Sequence, residues 1–271
     1  MSFAQDSADR LTNVGVAVGL AASGMLLGFV ALFFVAGAVR ASGMGLSQSL
    51  SIAISLLALQ GVGLVGTAFL YLSATDKDLS YVRLRVPSLK QAAIGIGGVF
   101  VMLISVTALS AVIQALGQSA AEHGTVEQVS ESPEIALYLV PLSILVIGPC
   151  EELLFRGVIQ TKLRESFSGL GAVGVASVIF SLIHIPAYGG EVIVDIVQQG
   201  GVTAANLQSL SVTLSVLFVL SIILGYLYEK TGNLAVSMIT HGFYNAVLFG
   251  MLYITTQYAD EMEEMAQFAF F

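Results

Sequence analysis

The chain has 271 residues, of which 56% are hydrophobic and only 10% charged, against about 25% charged in an ordinary soluble domain. That composition excludes an ordinary soluble domain and points to a membrane protein. A net charge of −8 argues against a nucleic-acid partner, since no basic surface is available to track phosphates. The lone cysteine, Cys150, excludes an intrachain disulfide and any CxxC metal motif.

Apolar runs recur along the whole chain. Seven of them, at about 14–39, 48–72, 91–116, 135–160, 170–187, 209–228 and 234–255, approach or exceed the roughly 20 apolar residues that cross a bilayer. The expected fold is therefore all-α, a polytopic bundle of about seven transmembrane helices, with eight as the alternative. The first run is too long for a signal-peptide core and lacks a strongly basic flank, so it reads as a retained helix. The fifth is the shortest. Gly61, Gly63, Gly66, Gly95, Gly97 and Gly98 either allow close helix packing or reflect composition alone. No composition shift marks a domain boundary, so residues 1–271 read as a single membrane domain. Residues 1–12 and 258–271 read as flexible ends.

The basic residues orient this bundle. Arg10, Lys77, Arg83, Arg85, Lys90, Arg156, Lys162, Arg164 and Lys230 fall on one set of loops and helix ends, and Arg40 alone falls on the other. Nine against one predicts a cytoplasmic N-terminus and, with seven spans, an external C-terminus in a multi-pass cell-membrane protein. The opposite loops are acidic, with Glu122, Glu127, Glu131, Glu134, Glu191, Asp195, Asp260, Glu261, Glu263 and Glu264. These read as a solvated charged face. Within 191–199, Glu191, Asp195 and Gln198 share one helical face and Val192, Ile193, Ile196 and Val197 the other. That pattern predicts a short helix lying in the outer interface.

Three segments carry groups that a bilayer penalises: Glu151-Glu152-Leu-Leu-Phe-Arg156, Phe180-Ser-Leu-Ile-His184 and His241-Gly-Phe-Tyr-Asn245. A charge near the bilayer centre costs at least a few kcal/mol, so such residues mark a working site. Spans four and five form a hairpin about Phe167 and Ser168. Glu151 lies 16 residues before Phe167 and His184 lies 16 after Ser168. At about 1.5 Å per residue, both sit roughly 20–25 Å from the turn and face each other. His241 lies 11 residues beyond Lys230, roughly 15 Å in from the same side, and Asn245 continues its face one turn further.

Glu152 and Arg156 are spaced to pair at i,i+4, with the arginine tip reaching toward the cytoplasmic interface. Gly148-Pro149 is expected to kink the helix and open space for water. Cys150, Phe155 and Phe180 read as packing or pocket-shaping residues, and His123 as an exposed loop residue.

A carboxylate beside an imidazole can bind water and take its proton. An imidazole and an amide on a neighbouring helix can donate to a developing oxyanion. Alternatively, Glu151, His184 and His241 could ligate zinc with water in the open position. The same buried groups would also suit a proton-coupled transporter. Against that, no second Glu-Glu half marks the internal repeat such transporters carry.

The ordered set EExxxR at 151–156, FxxxH at 180–184 and HxxxN at 241–245 resembles the CPBP family, also called ABI. That family holds the type II CAAX prenyl endopeptidases and their bacteriocin-processing or immunity relatives. The resemblance covers roughly 135–250, the motif-bearing core; the first three spans carry no such motif. It implies an intramembrane endopeptidase acting on a peptide or membrane-protein substrate in the lipid bilayer. Glu151 and His184 would hold and activate the attacking water, and His241 and Asn245 would form the oxyanion site. Glu152 and Arg156 would support them. Members have been described both as zinc metalloproteases and as metal-independent glutamate proteases, so zinc stays open as a cofactor. Direct activation by Glu151 and His184 is the preferred reading. A scaffold or immunity role without proteolysis is the alternative within the family.

Overall fold

A computed structural model describes residues 3–43, 45–121 and 123–258, with backbone alone at 3–6, 49 and 127. All regular structure among them is helical. In chain order the helices of eight residues or more are α1 (Phe3–Ser42), α2 (Leu50–Ala74), α3 (Leu89–Ala115), α4 (Gly124–Glu131), α5 (Glu134–Leu163), α6 (Gly169–Ile183), α7 (Gly190–Gln199), α8 (Ala204–Thr231) and α9 (Leu234–Gln257). Six of these, α1, α2, α3, α5, α8 and α9, are long and apolar enough to cross a membrane.

The expected fifth span is shorter than its apolar run. Helix α6 stops at Ile183 after 15 residues, about 22 Å at 1.5 Å per residue. The helix breaks at His184, and one short helical turn follows over Ile185–Tyr188, with Pro186 near its start, where a missing N–H is tolerated. His184 is therefore the residue that caps α6.

Residues 3–12 are not the loose end their polarity suggested. They continue α1, and Asn13 just beyond them donates to Ser166 Oγ at 2.9 Å. The tail 259–271, with Asp260, Glu261, Glu263 and Glu264, and also Glu122, lies outside the described residues.

Side-chain caps set the helix joints. Ser88 and Gln91 form a reciprocal capping box that starts α3. Thr203 caps α8, and Asn233 caps α9 directly after Gly232, whose φ of 60° ends α8.

The two ends of the bundle are tied differently. One end holds Lys77–Glu165 at 2.9 Å, Arg164–Glu229 at 3.0 Å and the Leu234 N–H on the Arg83 carbonyl at 3.1 Å. The other holds the Ala121 N–H on Thr213 Oγ1 at 2.8 Å and the Ser132 hydroxyl on Gln48 Oε1 at 3.2 Å.

Helix α7 has the predicted amphipathic form, with Ile193, Ile196 and Val197 exposed. Its acid differs from the expectation: Asp195 is buried, not solvated. It accepts from the Thr203 N–H and hydroxyl, Asn206 and Gln199 at 2.8–3.0 Å, stapling α7 to the start of α8. The Thr203 N–H, then its hydroxyl, hold the carboxyl below the usual carboxylate range.

Candidate active site

Backbone contact brings the site together. A Cβ on Gly148 would fall 2.7 Å from the Gly242 nitrogen and 2.8 Å from its Cα, and one on Gly242 would fall 2.9 Å from Ile144 Cα. Helices α5 and α9 therefore meet backbone to backbone one residue from His241 and three from Glu151. Gly148 does not open space for water as the Gly-Pro pair suggested; it closes the gap to α9. Either side of the turn Gly148–Glu152, the helix widens into i→i+5 hydrogen bonding, over Ser143–Ile147 and Leu153–Gln160. Pro149 supplies no N–H, and the Gly148 N–H reaches back to the Ser143 carbonyl. Thr161 adds its hydroxyl to the Arg156 carbonyl at 3.3 Å. Such bulges often accompany functional sites, because they re-aim side chains without breaking the helix.

Glu152, fully buried, is the structural anchor. Its Oε1 lies 3.2 Å from Arg156 Nη1 and 2.9 Å from His241 Nδ1. Arg156 is 1% exposed, so its tip stays inside the bundle and does not reach the interface. Its Nη2 donates to Ser221 Oγ at 2.9 Å, and its guanidinium stacks 4.5 Å from the Phe180 ring centroid. Phe180 stands edge-on to Phe155 at 5.0 Å and against His184 at 4.6 Å. One ion pair and one aromatic ring thus fix both histidines.

Glu151 points the other way. Its Oε2 lies 4.0 Å from His184 Nε2 and 3.8 Å from His241 Nε2. Those gaps exceed a direct hydrogen bond but suit a bridging water. His184 Nδ1 lies 2.7 Å from the Phe180 carbonyl, which can only accept. Nδ1 therefore carries a proton, and it is Nε2 that faces Glu151. By the same reasoning, His241 Nδ1 donates to Glu152.

Glu151, His184, His241 and Asn245 line one cavity of about 330 Å³, walled otherwise mainly by apolar side chains such as Leu220, Leu224 and Phe249. A second cavity, of about 550 Å³, meets it at Glu151, His184 and Gln60 and runs toward Met25 and Phe29 of α1. Asn245 is half-buried.

Zinc was the alternative reading of Glu151, His184 and His241. Among the described residues, no group of three His, Cys, Asp or Glu is arranged to hold a metal ion. Ligands at about 2.0–2.1 Å on a tetrahedral zinc stand roughly 3.3 Å apart, closer than the 3.8 and 4.0 Å found here.

Two residues at the site escaped the sequence reading. Gln60 of α2 donates from Nε2 to Glu151 Oε1 at 2.9 Å. An amide inside an apolar run was the available signal. His123 is not simply exposed; it is half-buried, lines both cavities and stands edge-on to Tyr188 at 4.8 Å. Its Nδ1 accepts from the Thr125 N–H, capping α4. Burial, then the neighbouring His184, hold it below the ordinary imidazole range, against the pull of Glu151. Nothing in its loop sequence signals that position.

No curated protein and no solved structure matches the chain. Residues 133–247 match the family described as type II CAAX prenyl endopeptidase, Rce1-like. That stretch contains all three polar segments, so the chain carries, over residues 133–247, a domain of the Rce1-like type II CAAX prenyl endopeptidase family.

Proposed function

We propose that this protein is an intramembrane endopeptidase of the cell membrane that hydrolyses a peptide bond in a peptide or membrane-protein substrate. The observation that carries the reading is the convergence of Glu151 Oε2 with the Nε2 atoms of His184 and His241, at 4.0 and 3.8 Å, in a cavity with mainly apolar walls. Family membership supports the reaction class. On this reading the chain works as one membrane unit of seven crossings, with α6 and the turn after it making the fifth and residues 135–250 forming the catalytic core.

A water between Glu151 and His184 donates one hydrogen bond to Oε2 and one to Nε2, leaving its lone pairs free for attack. As its oxygen bonds to the scissile carbonyl carbon, one of its protons passes to Glu151. When the oxyanion re-forms the C=O bond and the C–N bond breaks, Glu151 returns that proton to the leaving nitrogen, and the other proton leaves with the new carboxyl group. The carbonyl electrons move onto the oxygen, where Asn245 Nδ2 and His241 Nε2 stabilise them. His241 can donate from Nε2 only when its ring carries both protons, since Nδ1 is committed to Glu152. Glu152 is then the counter-ion of that imidazolium. Asn245 needs no such change. No step runs through a metal.

Purified protein in detergent or liposomes is expected to cleave an apolar peptide. Glu151→Ala and His184→Ala should each abolish cleavage without loss of folding. Cleavage that survives both substitutions overturns the assignment. Activity should persist after metal stripping; loss on chelation with rescue by zinc alone would reverse the metal-independent reading.

A further inference from the structure

The family-matched stretch begins at residue 133, yet Glu151 takes a hydrogen bond from outside it. Gln60 Nε2 lies 2.9 Å from Glu151 Oε1. Of the contacts described to Glu151, this is the one within hydrogen-bond reach, since those to His184 and His241 are 4.0 and 3.8 Å. A carboxylate can only accept, so the amide must present its NH2 group there. Its Oε1 is then left buried without a hydrogen-bond partner. Gln60 also lines both cavities where they meet.

The backbone around Gln60 is built for this approach. It lies in Leu57–Val65, the third stretch of i→i+5 hydrogen bonding, where the Gly66 N–H reaches the Gly61 carbonyl. Three residues on, a Cβ at Gly63 would fall 2.6 Å from the Gly24 carbonyl oxygen and 2.9 Å from Gly28 Cα. Helix α2 is thus pressed against α1 on one face and presents Gln60 to Glu151 on another. A widened turn bearing a polar side chain has a local cause for its aim.

From this geometry we infer that Gln60 is a positioning residue for the Glu151 carboxylate, supplied by the first half of the chain to a reaction centre in the second. By engaging Oε1, it turns Oε2 toward the two imidazoles and leaves that oxygen as the one that receives the water proton. Helices α1 and α2 are then part of the enzyme's working structure, since they hold its base in register.

This inference rests on the endopeptidase reading, and its test separates the two. Gln60→Leu and Gln60→Met keep about the side-chain size but remove the N–H donor. Each is expected to lower kcat by up to about 100-fold, as misplacing a catalytic group by about 1 Å does, with KM little changed, because substrate contacts elsewhere are intact. A second readout needs no activity. The carboxylate stretch of Glu151, assigned by its loss in Glu151→Gln, should shift in the infrared difference spectrum of Gln60→Leu relative to wild type. Wild-type kcat in both variants, or an unshifted Glu151 band in folded Gln60→Leu, would overturn the role of Gln60. A wild-type protein that cleaves nothing, yet shows the band shift, would instead sink the endopeptidase reading and keep the Glu151–Gln60 coupling.

Discussion

Arg156 shows how a charge deep in an apolar bundle is tolerated. It pairs with Glu152 at 3.2 Å, donates to Ser221 and stacks on Phe180, with almost no exposure. Removing one partner of such a pair leaves the other uncompensated, at a cost of about 3–5 kcal/mol. Arg156→Leu is therefore expected to lower the thermal unfolding temperature in detergent sharply and to abolish cleavage. Replacing both members, with Glu152→Met and Arg156→Met, should recover much of the stability, because no orphan charge remains. It should not recover activity, because His241 Nδ1 would have lost its acceptor. Recovery of both would show that the pair only packs. The i,i+4 spacing made this pair legible from sequence. Its tether to Ser221 was not, because that contact joins residues 65 positions apart.

At the scale of helices, the site depends on how closely backbones approach. Gly148→Ala would place a methyl 2.7 Å from the Gly242 nitrogen, a backbone atom that cannot rotate away. Overpacking of this kind costs about 1–3 kcal/mol, and here it also pushes α9, with His241 and Asn245, away from Glu151. The expected result is a modest fall in stability and a much larger fall in cleavage. Gly97→Ala is the control, since nothing lies within 4 Å of its Cβ; it should leave both measurements near wild type. Equal effects at the two positions would show that the contact at Gly148 carries no special role. Sequence placed both Gly97 and Gly98 among candidate packing glycines. The structure separates them, with Gly98 facing Leu227 and Thr240 and Gly97 facing nothing. Helical period reveals which residues share a face, but not which face meets a neighbour. The same limit hid Gln60: its run carried no polar partner in sequence, and its partner is on α5.

For the whole molecule, the prediction concerns which way the bundle faces and how many times it crosses. Contacts at one end join the loop after α2, the turn between α5 and α6 and the joint between α8 and α9. These are the loops in which the basic residues concentrate. At the other end, the segment after α3 meets the start of α8 through Ala121 and Thr213. Helix α6 leaves the basic end, and the chain reappears at the opposite end as Ala204 begins α8. A 15-residue helix is shorter than the roughly 17–25 residues of an ordinary span. The turn, α7 and the Asp195 staple extend its path, which composition alone does not reveal. If the positive-inside rule governs, the basic end lies in the cytoplasm and the C-terminus outside. Single-cysteine reporters can read this directly once Cys150 is replaced by alanine. In intact cells, a membrane-impermeant maleimide should label Ser119→Cys, in the loop after α3, and a cysteine added after Phe271. It should leave Thr75→Cys, at the basic end, unlabelled until the cells are opened. The reverse pattern would invert the topology. Labelling of Ser119→Cys without the C-terminal cysteine would overturn the path of seven crossings.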